Sequence, residues 1–446
     1  MTGSLVGITG SLRDPRLGDQ AAGQGIIQPW LAVSGGYGTS PDAPPGAANP
    51  TNKSIGLSGG LSMVKPFRRT TFILGYSGTG SRGFGELAAA NGWYSSNVVS
   101  LAVGTLLSPR LTFDVTAFAG ASNGGFGITA WGLGANSNGV LESIGVASGS
   151  LYGNSGLPPG SSTVNPLQNN LVDNESSTTL AYFADTSASL GVLLNRRTVL
   201  SFGGSAFFTR RVGGSYSDAN GFAGSASLST FWTRRFSTDA NYSFTRVDFV
   251  NSIGYSDINS IAVGGHYLLS ARDSLSGSFG VSLLSTQFLA TLTLPAEIAQ
   301  LLGVPVVYVI QNVSEQFYTG ALMYNHGFYR GGFGLTCASA VTPGNDLLLL
   351  ARTETCAVYL SRTLTRRLSV SALGGGSRLN GLAQAGAVYD DLNAGLTLSY
   401  RFLGGLAFTG GATYSKNYIK PSTASSSYVS ASAGLYWSPV RGLKLF

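Results

Sequence analysis

The sequence predicts an all-β protein, a transmembrane up-and-down antiparallel β-barrel of about 18 strands, within a range of roughly 16–20. Three observations lead there. Charge is scarce although no apolar run is long enough for a membrane helix. Side chains alternate polar and apolar with period 2. Short and long connections alternate along the chain.

Only 11% of the 446 residues are charged, whereas 43% are hydrophobic. A soluble chain of this length carries roughly 25% charge to keep its surface solvated. The longest apolar stretches, around residues 303–310 and 346–351, fall well short of the ~18 residues that a spanning helix needs. Gly, Ser, Thr and Asn supply the polarity instead. A closed barrel reconciles these facts, because alternate residues face lipid and water and mean hydropathy stays near zero.

The alternation is plainest in three places. Over 236–244, Phe236, Ala240, Tyr242 and Phe244 share one face, and Ser237, Asp239, Asn241 and Ser243 share the other. Over 273–283, Leu275, Phe279, Val281 and Leu283 oppose Ser274, Ser276, Ser278 and Ser282. Residues 392–400 repeat the pattern. Successive strand side chains point to opposite faces, so each segment is a wall with one apolar and one wet side.

Short connections are expected near Pro66, Pro109, Asn195, Arg234, Ala271, His326, Thr365 and Leu403. Longer ones fall between them, near 39–52, 79–94, 122–178, 213–219, 248–256, 286–314, 342–347, 377–386 and 417–426. Tight periplasmic turns and longer external loops give that rhythm in an up-and-down barrel. Aromatics gather beside the short turns, as at Trp232, Phe236, Tyr400, Phe402, Tyr436 and Trp437, where amphipathic rings settle at headgroup level. A propeller would show a blade repeat of about 40–50 residues, and none is visible.

The expected organisation is a periplasmic N-terminal segment over 1–25 and a transmembrane barrel over 26–438. Long external loops occupy 122–178 and 286–314, and 439–446 is a tail or the start of a further strand. Residues 294–303 have helix-compatible spacing, and either long loop has the size to fold inward as a constriction or to lie outside as a cap. The first residues lack a basic start and an apolar core, which predicts that an export signal lies outside this sequence.

The net charge of +7 raises the possibility of nucleic acid, which the distribution argues against. Arginines recur singly or in pairs at turns, as in Arg68-Arg69, Arg196-Arg197, Arg234-Arg235 and Arg366-Arg367, giving a charged rim rather than a binding stripe. The two cysteines, Cys337 and Cys356, lie symmetrically about the connection near Asn345 on the apolar faces of successive strands. A regular hairpin places them opposite each other, within disulfide reach.

No chemistry-bearing constellation emerges. His266 lies on a wet face and His326 in a short turn, without a nucleophile elbow or metal-ligand spacing. Gly-rich stretches such as 331–334 and 374–376 lack the lysine and helix of a phosphate loop. The expectation is a protein without catalytic residues, metal or cofactor.

From about residue 26 to 438 the chain resembles the bacterial outer-membrane porin-like barrels, in architecture rather than in any one family's motif. The resemblance implies residence in a Gram-negative outer membrane, contact with its lipid and lipopolysaccharide, and handling by the barrel-assembly machinery. Members often end in an aromatic residue read by that machinery, and this sequence ends in Phe446. Gly442 and Lys444 depart from the bulky apolar residues preferred at alternate positions before it.

The expected lumen lining is Asp114, Asp185, Ser227, Asp239, Asn241, His266, Ser278, Asp391 and Asn393, accompanied by many further serines. Small polar residues around eighteen strands suit passive diffusion of small polar solutes and ions. The alternatives are a scaffold barrel housing a lumen partner, such as an electron-transfer conduit or polymer exporter, and a surface adhesin. Oligomeric state stays open, a homo-oligomer included.

Overall fold

A computed structural model describes residues 25–39, 51–85, 92–123, 180–212, 218–249, 254–293, 300, 306–342, 351–381, 388–420, 425–439 and 443–445. The strands are β1 (Gly25–Thr39), β2 (Thr51–Pro66), β3 (Thr70–Gly85), β4 (Gly92–Ser108), β5 (Leu111–Asn123) and β6 (Leu180–Leu193). They continue with β7 (Thr198–Val212), β8 (Ala219–Phe231), β9 (Phe236–Phe249), β10 (Gly254–Leu268), β11 (Asp273–Thr293) and β12 (Val306–Phe328). Then follow β13 (Gly331–Thr342), β14 (Ala351–Thr363), β15 (Leu368–Gly381), β16 (Val388–Arg401), β17 (Leu406–Lys420), β18 (Ser425–Trp437) and the short β19 (Leu443–Leu445).

Each strand from β1 to β17 pairs antiparallel with the next, and β1 pairs with both β2 and β18, so eighteen strands close a barrel without a free edge. Closure removes the row of unpaired backbone groups that an open sheet would present to lipid. β19 is not the return strand of a further hairpin. Its residues pair with Gly25–Ile27 of β1 and run in the same direction as β18. Pro439, which has no N–H to donate, stands at the interruption. Ser438 patches the seam: its hydroxyl donates to the Pro29 carbonyl (3.1 Å), its amide donates to the Gly405 carbonyl (3.0 Å), and Gln28 reaches its oxygen at 3.1 Å.

Several external connections are shorter than the sequence suggests. The span 286–314 is mostly a ladder, with Thr286–Thr293 of β11 paired to Val306–Val313 of β12. Its β-branched run Val306, Val307, Val309 and Ile310 suits a pleated ribbon better than a loop. β3, β15 and β17 likewise extend through Gly-, Ser- and Asn-rich ends that read as connections. The expected loop 122–178 begins inside β5, which runs to Asn123; its residues 124–178, the segment 1–24, the helical spacing at 294–303 (apart from residue 300) and Phe446 lie outside the described residues. His326 belongs to β12 rather than to a turn. It sits across from Asp273, whose carboxylate also accepts from the Tyr324 hydroxyl at 2.8 Å.

The short turns are built to one plan. Arg69, Arg110, Arg197, Arg235, Arg272, Arg330 and Arg367 each hold the position just before the second strand of their hairpin. Their backbone carbonyls accept the amides of Leu106, Leu193, Phe231, Leu268, Gly327, Thr363 and Arg401 on the neighbouring strands, at 2.6–2.8 Å. A side-chain oxygen two residues earlier caps the arginine amide in five of these turns, as Asn195 does for Arg197 (2.8 Å) and Thr233 for Arg235 (3.1 Å). The eighth short turn has Gly405 at the equivalent place, with φ +83°, after Gly404 at φ +76°. A left-handed backbone disfavours a side chain, so this turn is the one without arginine.

Candidate functional site

Cross-strand register fixes which residues share a face. Ile261, Val263, Phe279 and Tyr318 lie on one side at 60–63% exposure. With Leu57, Tyr76, Phe202, Leu396 and Val429 they form an apolar exterior. Phe279 and Tyr318 stack at 6.0 Å. Outward polar residues inside this band are satisfied by neighbours: Tyr76 donates to Asn97 (2.9 Å) and Tyr242 to Asn259 (3.0 Å), sparing each asparagine oxygen an unpaired position.

The opposite face is the lumen wall. Register places Asp114, Asp185, Ser227, Asp239, Asn241, His266, Ser278, Asp391 and Asn393 on it, in three patches. On β5–β6, Asp114 faces Ser189 and Asp185 faces Phe118, with the Thr116–Ser187 hydroxyl pair between them at 2.6 Å. On β8–β11, Asn241 lies between Ser227 and Ala262, Asp239 between Ser229 and Gly264, and His266 between Ser237 and Ser276, while Ser278 adjoins Gly264. On β16–β17, Asp391 accepts from Asn393 (3.0 Å) and from Ser415 (2.9 Å). The three patches sit on separate arcs, so these residues form a lining and not one cluster.

Two regularities of the wall need cross-strand partners to be seen, and sequence reasoning missed both. Hydroxyls pair across the ladder, as Ser256–Thr286 (3.0 Å), Ser260–Ser282 (2.7 Å) and Thr413–Ser430 (2.5 Å) do besides Thr116–Ser187. The lining is therefore polar yet satisfies much of its own hydrogen bonding. Large inward rings also lie opposite glycines: Trp30 opposite Gly60, Phe183 opposite Gly120, Phe207 opposite Gly221 and Tyr359 opposite Gly334. A methyl group added at Gly60 or Gly221 would overlap the facing ring. Each ring thus lies down over a bare backbone, a way to place an aromatic on the inner wall without projecting it across the lumen.

The wall also carries Glu315, inward on β12 opposite Leu284, and a small apolar cluster of Ile258, Leu284, Val341 and Phe317. Among the described residues no group of three His, Cys, Asp or Glu side chains gathers as a metal site. Cys337 and Cys356 face each other across β13–β14, on the side of exposed Leu322, Val358 and Leu360, with Cα atoms 4.1 Å apart and sulfurs at bonding distance.

No protein-family model and no curated protein matches the chain. Solved structures of similar shape include Acinetobacter baumannii OccAB4, with TM-score 0.46, 10% identity, and coverage of 95% of this chain and 99% of that one. Pseudomonas aeruginosa OccK7 (OpdD) aligns with TM-score 0.46 and 8% identity over 95% of this chain and 100% of its own. The Escherichia coli ferric-catecholate import receptor Fiu aligns with TM-score 0.41 and 10% identity, over 92% and 81% respectively. Likeness at this level is one of general shape.

Proposed function

We propose that the barrel spans a bacterial outer membrane and serves as a passive channel for small polar solutes and ions. The observation that carries this reading is the wall itself. Eighteen strands enclose a lumen of aqueous width, and their inward face is lined mainly by small hydroxyl, amide and glycine positions, with the larger rings folded flat. A continuous apolar exterior supports the membrane assignment. The inward carboxylates are spread over separate arcs rather than drawn into a ring, so ion selectivity should be weak. The test is osmotic swelling of vesicles containing the folded protein, with neutral sugars of increasing size. Small sugars should enter at a rate that falls with their size.

A second reading, a scaffold barrel that holds a partner in its lumen, is favoured by burial of the inward face, where Ser243, Ser256, Ser260 and Ser282 are all buried. Asn241 is 3% exposed on the inward face, and neither amide atom has a hydrogen-bond partner among the described residues. Folded protein that admits no solute in the swelling assay favours this second reading.

A further inference from the structure

The short-turn end carries charge that the barrel itself does not use. The seven turn arginines are exposed, as are Arg68, Arg196, Arg234 and Arg366 beside them, and among the described residues none has a carboxylate within ion-pair distance. Asp273, an acidic residue at this rim, is engaged by His326 and Tyr324 instead. Arg330 lies over the Tyr329 ring at 5.7 Å, a contact that leaves its fork of donors open.

Three features point to what these guanidinium groups meet. Every one of the seven positions is arginine and none lysine, and a planar fork of donors suits a phosphate better than a point charge does. The equivalent position recurs once per hairpin. Strands lie about 4.8 Å apart, so neighbouring arginines stand about 10 Å apart or slightly more, each able to take a separate headgroup. Finally, the turns open with large exposed apolar residues, Phe67 at 56%, Trp232 at 57% and Tyr329 at 85%. A ring or aliphatic side chain followed within three residues by arginine matches the change from acyl chain to phosphate across one lipid leaflet. A soluble acidic partner would give the exposed rings nothing to enter.

We propose that the short-turn rim is a binding ring for the phosphates of acidic phospholipid in the adjoining leaflet, headgroups of the phosphatidylglycerol type. The inference rests on the barrel spanning a membrane and is independent of whether its lumen conducts.

The experiment reconstitutes the folded protein in phosphatidylcholine vesicles containing a trace of spin-labelled phosphatidylglycerol or spin-labelled phosphatidylcholine. It compares the motionally restricted fraction of each label. One basic residue near an anionic surface is worth about 1 kcal/mol, so phosphatidylglycerol should be favoured about fivefold at the ring sites. Salt at about 1 M, where the Debye length falls to about 3 Å, should reduce the preference towards unity. Changing the seven arginines together with Arg68, Arg196, Arg234 and Arg366 to glutamine should do the same at low salt, and changing them to lysine should keep part of it. Equal preference in the wild type and the glutamine variant overturns the proposal, as does a wild type without preference. Polyglutamate that binds the barrel and displaces the labelled lipid overturns it in favour of an acidic protein partner. If the glutamine variant does not fold, the salt titration of the wild type decides. Failure of the folded wild type to enter vesicles overturns the membrane reading itself, an outcome distinct from lost selectivity.

Discussion

The two ends of the barrel solve the same problem, where to put charge on an apolar barrel wall, in opposite ways. At the long-loop end, several outward arginines meet carboxylates. Arg378 reaches Asp390 through two donors (2.6 and 3.2 Å), Arg352 meets Glu354 (2.9 Å), and Arg246 contacts Asp248 (3.1 Å) and Asp257 (3.7 Å) while covering the Tyr255 ring. Arg82 covers Phe84 and Trp93, and Lys416 covers Tyr418. At the short-turn end the arginines have regular backbones and unmatched side chains. One end pairs arginine with carboxylate, and the other leaves its seven turn arginines without one. A paired guanidinium needs no fixed external partner, whereas a ring of guanidinium groups without carboxylates implies one.

The comparison depends on charge being excluded between the two ends, and that is the point of largest expected effect. Val281 lies outward on β11 between Ile261 and Tyr318. Val281→Arg should destabilise refolding into vesicles by about 2–4 kcal/mol if the site lies near the bilayer midplane. Ser278→Arg, inward on the same strand, should be tolerated. Equal losses would mean that the faces are exchanged.

At the long-loop end, the β13–β14 hairpin has Cys337 opposite Cys356. We propose that the two form a disulfide in the oxidising exterior. Thiol titration of the denatured, unreduced protein should find no free thiol. Reduction should cost up to about 3 kcal/mol for a loop of this length. Two free thiols would remove the crosslink from the account.

Smaller effects separate the ends more finely. Thr233→Ala removes the oxygen that accepts from the amides of Arg235 and Phe236 (3.1 and 3.0 Å). It should destabilise by about 1 kcal/mol in chemical denaturation, and Thr233→Ser should restore the loss. Arg378→Gln, which breaks an exposed ion pair at the other end, should leave stability unchanged within error. A larger effect for Arg378 than for Thr233 would reverse the contrast.

Much of this architecture was legible because a strand announces itself locally. Residues 236–244 and 273–283 alternate so regularly that parity alone sorts Asp239 and Asn241 from Tyr242, and Ser278 from Val281. The arginine pairs at turns were visible as a rim. Their equivalence was not, since it lies in carbonyls bonded to the neighbouring hairpin. The aromatic–glycine pairs were hidden for the same reason: Trp30 and Gly60 come together only through register. The long β11–β12 ribbon was obscured by Pro295 and a helix-like run at its tip. The closing seam joins Leu31 to Trp437 across almost the whole chain, a pairing with no local signal.

Single-channel recording in planar bilayers tests the central claim most directly, because it asks whether the polar wall surrounds a continuous aqueous path. Folded, heat-modifiable protein should give discrete conductance steps with weak selectivity between cations and anions. Protein that inserts and folds yet gives no steps at any applied voltage would contradict the channel and leave a barrel whose lumen is filled.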